Sequence, residues 1–456
     1  MHIRRIIIER IIKQIYHQKN KEVEEKDMKG KRFMGLAMAI ILSLSMALAI
    51  PLFTGCTGTT PEPTPEPTPE PTPEPTPEPT PEPADAQDVW KPYTEHYPVD
   101  VFVVRNSPDH ATIQERREKG DLTYGEFELS EPTTQPWHVG ALFPHIKDPW
   151  WIAANYGYME ECKRMGVQAT CFEAGGYVNL ERQIAQMEDL VAMDVDIIIA
   201  APVSFEGLNP AIDQAVDAGI PGLGACNDLS SENVLSRVQA SYWTMGYDAA
   251  QVIGEACHEE GITEVDTVLL PGPPGAGWTM DQADGYETSI EDVKDEYGVT
   301  INNLATKWGD TDKAVQLPLV EDLVMTHSDE LDYIVGNALA AVAAIQVVEE
   351  FNKKDDIRII STYTTPEAMD YMLKGDLFSM TCDRPTDQWV ISVDMAIDYL
   401  EGRSTDYVGA TKDDFPDVIG PVMSRVTREA VLSGEFPVSA GLPPAGYTPY
   451  FEWTPE

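Results

Sequence analysis

The chain of 456 residues is long enough for about three domains, or for two large lobes with appended segments. It carries 76 acidic against 32 basic side chains, a formal net charge of -44. This balance argues against a broad nucleic-acid surface, which needs Lys and Arg to displace phosphate counterions, and against a polybasic hold on anionic lipid. Because hydrophobic residues make up 43% and charged residues 24%, the chain has the composition of a globular protein with a sizeable core.

The first 55 residues have the pattern of an export signal. Basic residues between Lys29 and Arg32 precede an apolar run from Met34 to Leu52, which is followed by Phe53-Thr54-Gly55-Cys56. A cysteine directly after Thr-Gly resembles the lipobox of bacterial lipoproteins, with Phe53 in place of the usual leucine, and this resemblance implies lipidation of Cys56. The alternative is an uncleaved anchor helix, because the apolar run is just long enough to span a membrane. Either reading places the bulk of the chain outside the cytoplasm.

A proline-rich repeat follows the cysteine, so that residues 56–83 form a linker. Five copies of Pro-Glu-Pro-Thr run from Pro61 to Thr80, and a last Pro-Glu-Pro completes the segment. Proline at every second position fixes φ and removes backbone donors, so neither helix nor sheet can form. At ~3.1 Å per residue, the repeat predicts an extended spacer of roughly 70 Å. Such a spacer would hold a soluble domain away from a lipid anchor.

Beyond residue 136, apolar runs of strand length alternate with segments of helical spacing. The runs cover residues 137–143, 167–172, 195–200, 220–225, 265–270, 299–304, 331–335, 357–361 and 377–382. Strands that alternate with helices predict an α/β fold with right-handed crossovers and doubly wound parallel sheets. Because these strands exceed one sheet of about five or six, we expect two lobes. The first run is followed by Pro-His-Ile-Lys-Asp-Pro rather than Gly-x-Gly-x-x-Gly, which speaks against a dinucleotide-binding fold.

Several motifs in these segments resemble one known family. They are Gln135-Pro-Trp-His-Val139, Pro144-His-Ile-Lys-Asp148, Asn155-Tyr-Gly157, Glu173-Ala-Gly-Gly-Tyr177 and the closing Thr448-Pro-Tyr-Phe-Glu452. With the Pro-Val-Ser and Asn-Asp that follow later strands, they are similar to type I periplasmic binding proteins of the ribose-binding and LacI-like fold. More narrowly, they resemble the TorT family of periplasmic proteins that sense trimethylamine N-oxide (TMAO).

This resemblance implies two lobes that are joined by three hinge crossovers. The first lobe would comprise residues 136–227 and 364–404, the second 228–363 and 405–456, and residues 84–135 would be an extension packed on the first lobe. The hinges would lie near Asn227-Asp228, Thr362-Tyr363 and Arg403-Ser404. Ligand would close the cleft between the lobes, and a membrane partner would recognise the closed form.

In doubly wound sheets the ligand meets the loops at the carboxyl ends of the strands. The candidate ligand-binding residues of these loops are Trp150, Trp151, Ser204, Asn227, Trp243, Trp278, Asn337, Tyr363 and Asp383. Tryptophan faces attract a positively polarised methylated nitrogen, but a sugar would stack on them as well. Sugar binders of this fold usually carry a cleft arginine where this chain has Gln282 and Asp284, which favours a small, weakly hydrogen-bonding ligand. Two alternatives stay open, that Trp243 is a core residue and that Asp148 caps a helix instead of meeting ligand.

The expected function is that of a non-enzymatic solute-binding lipoprotein, because the loops contain no catalytic motif and no metal or cofactor spacing. It would bind TMAO or a related methylated amine and signal to a membrane sensor histidine kinase. The alternative is the substrate-binding lipoprotein of a sugar-type ABC importer. Cys162 and Cys171 could form a bridge, but burial of the five cysteines after Cys56 as free apolar side chains is the expectation.

Overall fold

The computed structural model describes residues 86–327 and 329–455. The predicted export segment, the lipidation site at Cys56 and the whole proline-rich linker lie in residues 1–85, outside the described part of the chain. Within residues 86–327 and 329–455, no helix is long and apolar enough to cross a membrane.

Fifteen strands in the described residues form two sheets. The strands are β1 (Val99–Arg105), β2 (Asp121–Phe127), β3 (His138–Phe143), β4 (Gln168–Glu173), β5 (Ile197–Ala200), β6 (Gly222–Ala225), β7 (Arg237–Val238), β8 (Glu264–Leu270), β9 (Thr300–Thr306), β10 (Tyr333–Gly336), β11 (Arg358–Ser361), β12 (Ser379–Cys382), β13 (Val418–Pro421), β14 (Ser424–Val426) and β15 (Glu452–Trp453). The first sheet has the order β15-β4-β3-β5-β6-β7-β13-β1-β2, and the second has the order β14-β12-β11-β10-β8-β9.

Both sheets are parallel at their centres and antiparallel at their edges. In the first sheet, the strands from β4 to β13 run parallel, whereas β15, β1 and β2 pair in antiparallel fashion. In the second sheet only β14 is antiparallel. The predicted α/β architecture with two parallel-sheet lobes is confirmed, and each of the nine predicted apolar runs falls on a strand.

Helices cover both faces of each sheet. They are α1 (Ile113–Lys119), α2 (Pro149–Met165), α3 (Leu180–Ala192), α4 (Asn209–Asp217), α5 (Tyr242–Glu260), α6 (Gly277–Tyr297), α7 (Lys313–His327), α8 (Ala338–Glu350), α9 (Pro366–Lys374), α10 (Pro385–Leu400), α11 (Arg428–Ser433) and α12 (Val438–Gly441). All residues of β5 and of β10 are buried, as expected for strands that are covered on both sides.

Local sequence sets the ends of these helices. Helix α2 begins where Asp148 accepts a hydrogen bond from the backbone N–H of Trp150, with Pro149 at the first helical position. It ends at Gly166, whose φ of 76° lies in the left-handed region that favours glycine. The start of α2 is important for function, because it lies directly after β3 at the carboxyl edge of the first sheet.

The chain passes between the two sheets at residues 239–241, 383–384 and 422–423, and β15 returns to the first sheet at its end. These crossings differ from the predicted lobe boundaries. Strands β7 and β13 pair with each other in the first sheet, whereas the prediction assigned their residues to the second lobe. Strand β12 pairs with β11 in the second sheet, whereas residues 364–404 were assigned to the first lobe. The reason is that strand pairing joins segments far apart in sequence, which apolar patterning does not specify.

Residues before β3 also belong to this structure. Strands β1 and β2 extend the first sheet beyond β13. Ahead of them, the Tyr93 hydroxyl donates to Glu161 Oε2 at 2.6 Å on helix α2, and Trp90 Nε1 donates to the carbonyl oxygen of Leu442 at 3.0 Å. The segment that follows the linker is therefore tied to helix α2 and to the C-terminal segment.

Helices α5 and α6 pack closely against each other because a glycine of each helix lies against the backbone of the other. A Cβ added at Gly246 would lie 1.8 Å from the carbonyl oxygen of Gln282, and one at Gly285 would lie 2.0 Å from that of Trp243.

The five described cysteines are buried and free, so the expectation of unpaired apolar side chains is confirmed for them.

Candidate functional site

A small cavity lies between the two sheets, at the carboxyl ends of their strands. Its lining residues come from both lobes and from the crossovers. They are Asp148, Trp150, Trp151, Tyr177, Asn227, Tyr242, Met245, Trp278, Thr311, Tyr363 and Asp383. This is the position at which doubly wound folds bind ligands.

Six aromatic rings form most of the cavity wall. Trp150 and Trp151 begin helix α2 and meet edge to face, with ring centroids 4.6 Å apart. From the second lobe, Trp278 lies 5.9 Å from Tyr242 and 6.4 Å from Tyr363, measured between ring centroids. Trp278 Nε1 is buried and has no hydrogen-bond partner among the described residues. The wall therefore offers several ring faces and one unused N–H donor.

Asp148 is one of two buried carboxyl groups in the cavity, and each of its oxygens accepts a hydrogen bond from the protein. One oxygen accepts from the backbone N–H of Trp150 at 2.9 Å, and the other accepts from the Tyr363 hydroxyl at 2.5 Å. Burial raises the pKa of Asp148 to about 7, against the opposing effect of these hydrogen bonds. Asp148 therefore caps helix α2, one of the two alternatives from the sequence, and it also lines the cavity.

Asp383 is the second buried carboxyl group, at the crossover after β12. Both of its oxygens accept from Nε1 of Trp150, each at 3.0 Å. Burial, with a smaller contribution from the nearby Asp148, raises its pKa to about 7. The adjacent Arg384 does not neutralise it, because the Arg384 guanidinium pairs with Asp387 at 2.6 Å.

Among residues 86–327 and 329–455, the cavity lining contains no Lys, Arg or His. Its remaining polar groups are the Asn227 amide, the Thr311 hydroxyl and the tyrosine hydroxyls. Asn227 is largely committed, because its Nδ2 donates to the carbonyl oxygen of Pro202 at 2.8 Å and to the Tyr177 hydroxyl at 3.3 Å. The site thus combines aromatic faces with two carboxyl groups, an environment that favours positive charge.

The two lobes also touch around the cavity. His145 Nε2 lies 3.4 Å from the Thr311 hydroxyl oxygen, and a Cβ added at Gly277 would lie 3.2 Å from Cβ of Asp228. Burial lowers the pKa of His145 to about 4, so its imidazole is neutral in this arrangement. These contacts join the two lobes beside the cavity.

Six of the nine candidate residues lie together in this cavity: Trp150, Trp151, Asn227, Trp278, Tyr363 and Asp383. The other three lie elsewhere. Ser204 accepts from the backbone N–H of Gly207 at 3.1 Å in its own loop. Trp243 stacks on Tyr247 at 4.8 Å between centroids and donates to Asp284, on the outer side of helices α5 and α6.

Asn337 is the third candidate outside the cavity. It is fully buried, and its Oδ1 accepts from the backbone N–H groups of Leu339 and Ala340 at 3.1 Å. It therefore caps helix α8, the role that Asn commonly has at the start of a helix. Position at the end of a strand predicted its location near the cleft but not the direction of its side chain.

The sequence prediction did not include Tyr177, Tyr242, Met245 and Thr311, which also line the cavity. Tyr177 lies within one of the motifs that carried the family resemblance, so that signal was available. Tyr242 and Met245 lie on the first turn of α5, and Thr311 follows Asp310 in the loop after β9. No pattern in the sequence separates these residues from ordinary core or loop positions.

Comparison with known proteins agrees with this architecture. Residues 139–404 match the family described as periplasmic binding protein domain. The periplasmic protein TorT of Escherichia coli (strain K12) is 28% identical over 270 residues, which cover 59% of this chain and 74% of TorT.

Two solved structures are also similar. An ABC transporter solute-binding protein from Bradyrhizobium sp. BTAi1, with bound Bis-Tris, is 31% identical with a TM-score of 0.65, and the match covers 78% of this chain and 98% of that one. TorT in complex with the TorS sensor domain in the presence of TMAO is 25% identical with a TM-score of 0.58, covering 69% and 99%. The family match, which spans more than half of the chain, and the interlobe cavity show that this chain belongs to the periplasmic binding protein family, whose members bind solutes outside the cytoplasm.

Proposed function

We propose that this protein binds a small methylated amine, TMAO or a related compound, in the cavity between its lobes and signals to a membrane sensor histidine kinase. The observation that carries the ligand class is the combination of six aromatic rings with Asp148 and Asp383, in a lining without Lys, Arg or His. A sugar would need many paired hydrogen bonds to its hydroxyl groups. The Asn227 amide is not free for that purpose, because its Nδ2 already donates to Pro202 and Tyr177.

Methyl groups on a positively polarised nitrogen fit the aromatic wall. Each ring face contributes about 0.5–2 kcal/mol to the binding of such a group when water is excluded. Since residues of both lobes line the cavity, a bound ligand contacts both of them only when the cleft is closed. Ligand would therefore shift an open–closed equilibrium toward the closed form.

The signalling role is supported by the relatives. TorT is among the similar proteins, and its complex with the TorS sensor domain is among the similar structures. The export pattern at residues 1–55, the candidate lipidation site Cys56 and the linker at 56–83 fit a domain held near a membrane. In this proposal the linker gives the domain the reach to contact a partner in the same membrane.

A thermal-shift measurement on the full chain in detergent tests the ligand class. The compounds are TMAO, betaine, choline and a set of monosaccharides. A ligand present at about 100 times its Kd stabilises the folded state by roughly 2.7 kcal/mol, which gives a clear rise in melting temperature. We expect a rise with one or more of the amines. A rise with a monosaccharide alone would contradict the proposal.

The second candidate is the substrate-binding lipoprotein of an ABC importer. It is favoured by the similarity to the Bradyrhizobium ABC transporter solute-binding protein, which was crystallised with Bis-Tris. Co-purification of the ligand-loaded protein from its native membrane discriminates the two. Recovery of a histidine kinase supports signalling, and recovery of a permease with its ATPase supports import.

A further inference from the structure

The two carboxyl groups of the cavity are deeply buried and follow strands of different sheets. Asp148 is 2% exposed and follows β3 of the first sheet, and Asp383 is 1% exposed and follows β12 of the second. Carboxylates this deeply buried are normally paired with a cation. Neither has a basic partner here, because Arg384 pairs with Asp387 and the cavity lining holds no basic side chain.

The hydrogen bonds of these groups leave much of their accepting capacity unused. A carboxylate has about four acceptor positions. Asp383 uses both oxygens for one donor, the indole N–H of Trp150. Asp148 accepts from Tyr363 and from the backbone of Trp150, and the Thr311 hydroxyl is a further donor to it, so all of its donors are neutral groups.

We propose that the ligand is a net cation, whose charge is neutralised by Asp148 from one lobe and Asp383 from the other. The inference rests on the proposed function and narrows it within the methylated amines. A net-neutral N-oxide would bring its negatively polarised oxygen into a site with two carboxyl groups. A quaternary or protonated amine instead supplies the charge that both groups lack.

Proton release follows from this arrangement. Burial raises the pKa of both carboxyl groups to about 7, so each is partly protonated in the empty site at neutral pH. A cation binds the ionised form, and its binding displaces the remaining protons. Affinity for a cation of fixed charge therefore rises with pH between about 6 and about 8, by up to tenfold per unit for each proton released.

Other titratable groups near the pair do not supply the missing charge. Those that face Asp148 are Tyr363, Tyr177 and Asp310, and those that face Asp383 are Tyr242, Tyr363, Cys226, Cys382 and Asp148. Burial raises the pKa of these tyrosines and cysteines, so they stay neutral in this pH range. Two basic residues flank the pair in sequence or space. The His145 imidazole is neutral, and Lys147 does not line the cavity.

Isothermal titration calorimetry on the full chain tests the inference with a matched pair of probes. Choline carries a fixed positive charge, and its carbon analogue, in which a quaternary carbon replaces the nitrogen, has the same shape without charge. TMAO is the third probe. We expect choline to bind at least about tenfold more tightly than its analogue near pH 8, and to lose about a hundredfold in affinity near pH 6, about tenfold for each carboxyl group, with protons released on binding.

Variants assign the effect to the two carboxyl groups. Asp148→Asn keeps the helix cap, since Asn caps as well as Asp, and Asp383→Asn keeps the shape of the side chain. Each should reduce the preference for choline over its analogue to less than about threefold, since each removes one carboxylate. Asp284→Asn, an exposed carboxylate on helix α6 outside the cavity, is the matched control and should leave the preference unchanged.

Each outcome decides the matter. Equal binding of choline and its neutral analogue, or a preference that survives both Asn variants, overturns the inference. Tight binding of TMAO without choline overturns the inference and leaves the proposed function standing. A response to a monosaccharide alone in the thermal-shift screen, or binding of none of the three probes here, removes both. If an Asn variant does not fold, the charge preference and pH dependence of the unmodified protein still decide between these results.

Discussion

The Tyr363 hydroxyl donates a hydrogen bond to Oδ2 of Asp148 at 2.5 Å and thereby joins the two lobes at the edge of the cavity. Asp148 follows β3 of the first sheet, and Tyr363 follows β11 of the second. Opening the cleft between these lobes has to break this bond. The same carboxyl group also caps helix α2 and lines the cavity, so the helix cap, the cavity wall and the bond between the lobes meet at one side chain.

Replacement of Tyr363 by Phe should weaken ligand binding by about tenfold, since a hydrogen bond to a charged group contributes roughly 1.5 kcal/mol to the closed form. Isothermal titration calorimetry measures the loss, and small-angle scattering should show a larger radius of gyration at equal ligand concentration. The matched control is Tyr286→Phe. Its hydroxyl bonds Thr267 at 2.8 Å within the second lobe, so affinity should stay unchanged. Equal losses for both variants would contradict the role of Tyr363 in closure.

Truncation of Trp278 to Ala should reduce affinity for the amine ligand by about tenfold or more, because a large ring face is removed from the wall of the cavity. Trp243→Ala is the control, since that ring stacks on Tyr247 outside the cavity. This variant should leave the affinity within about twofold, because a substitution away from the site changes the binding free energy by less than about 0.5 kcal/mol. Quenching of tryptophan fluorescence by ligand should also decrease in the Trp278 variant. A loss in the Trp243 variant alone would place the ligand elsewhere.

Asn337→Ala should lower the free energy of unfolding by about 0.5–2 kcal/mol, the cost of losing the cap of helix α8. Ligand affinity should not change, because Asn337 does not line the cavity. Urea unfolding and calorimetry measure the two quantities separately. A selective loss of affinity with unchanged stability would restore Asn337 as a ligand contact.

Gly246→Ala should destabilise the fold by roughly 1–3 kcal/mol, because its Cβ would overlap the carbonyl oxygen of Gln282 and force α5 and α6 apart. Gly222→Ala in the first sheet provides a control with space, since the nearest atom to its Cβ lies at 3.5 Å. Urea midpoints at equal m-values compare the two. An unchanged midpoint for Gly246→Ala would show that the helices adjust without cost.

Asp281→Asn should raise the melting temperature near pH 8 and leave it unchanged near pH 4. Burial, with a smaller contribution from nearby Asp228, raises the pKa of Asp281 to about 8. The folded state therefore holds a proton that the unfolded chain releases above about pH 4, so this group lowers stability as pH rises from about 4 to about 8. Glu287→Gln, exposed on the same helix, should show no such pH dependence. A melting temperature that is unaffected near pH 8 would contradict the raised pKa.

Local patterning predicted the strands of the parallel core because it records burial directly. The runs at 195–200 and 331–335 are apolar since β5 and β10 are covered on both faces. By contrast, β7 and β15 are two residues long, and no periodicity can reveal so short a strand. Their place in the first sheet depends on partners far away in the chain.

The candidate site divides in the same way. Trp150 and Trp278 were identifiable, because aromatic residues in loops after strands are unusual and these loops converge at one edge of the sheets. Ser204 and Asn337 have the same sequence context, but their side chains bond to the backbone of their own turn. Whether a short polar side chain points inward or caps a helix depends on backbone angles that the sequence does not display.

The sequence by itself determined the fold class, the charge, the export pattern and the residue types available to the loops, because these follow from local composition and periodicity. The tertiary structure alone decided which loops meet. It placed Asp148 and Asp383 from different lobes in one cavity without a basic partner. The physical reason is that electrostatics and hydrogen bonding act over a few ångströms in space, whereas these two residues are far apart along the chain.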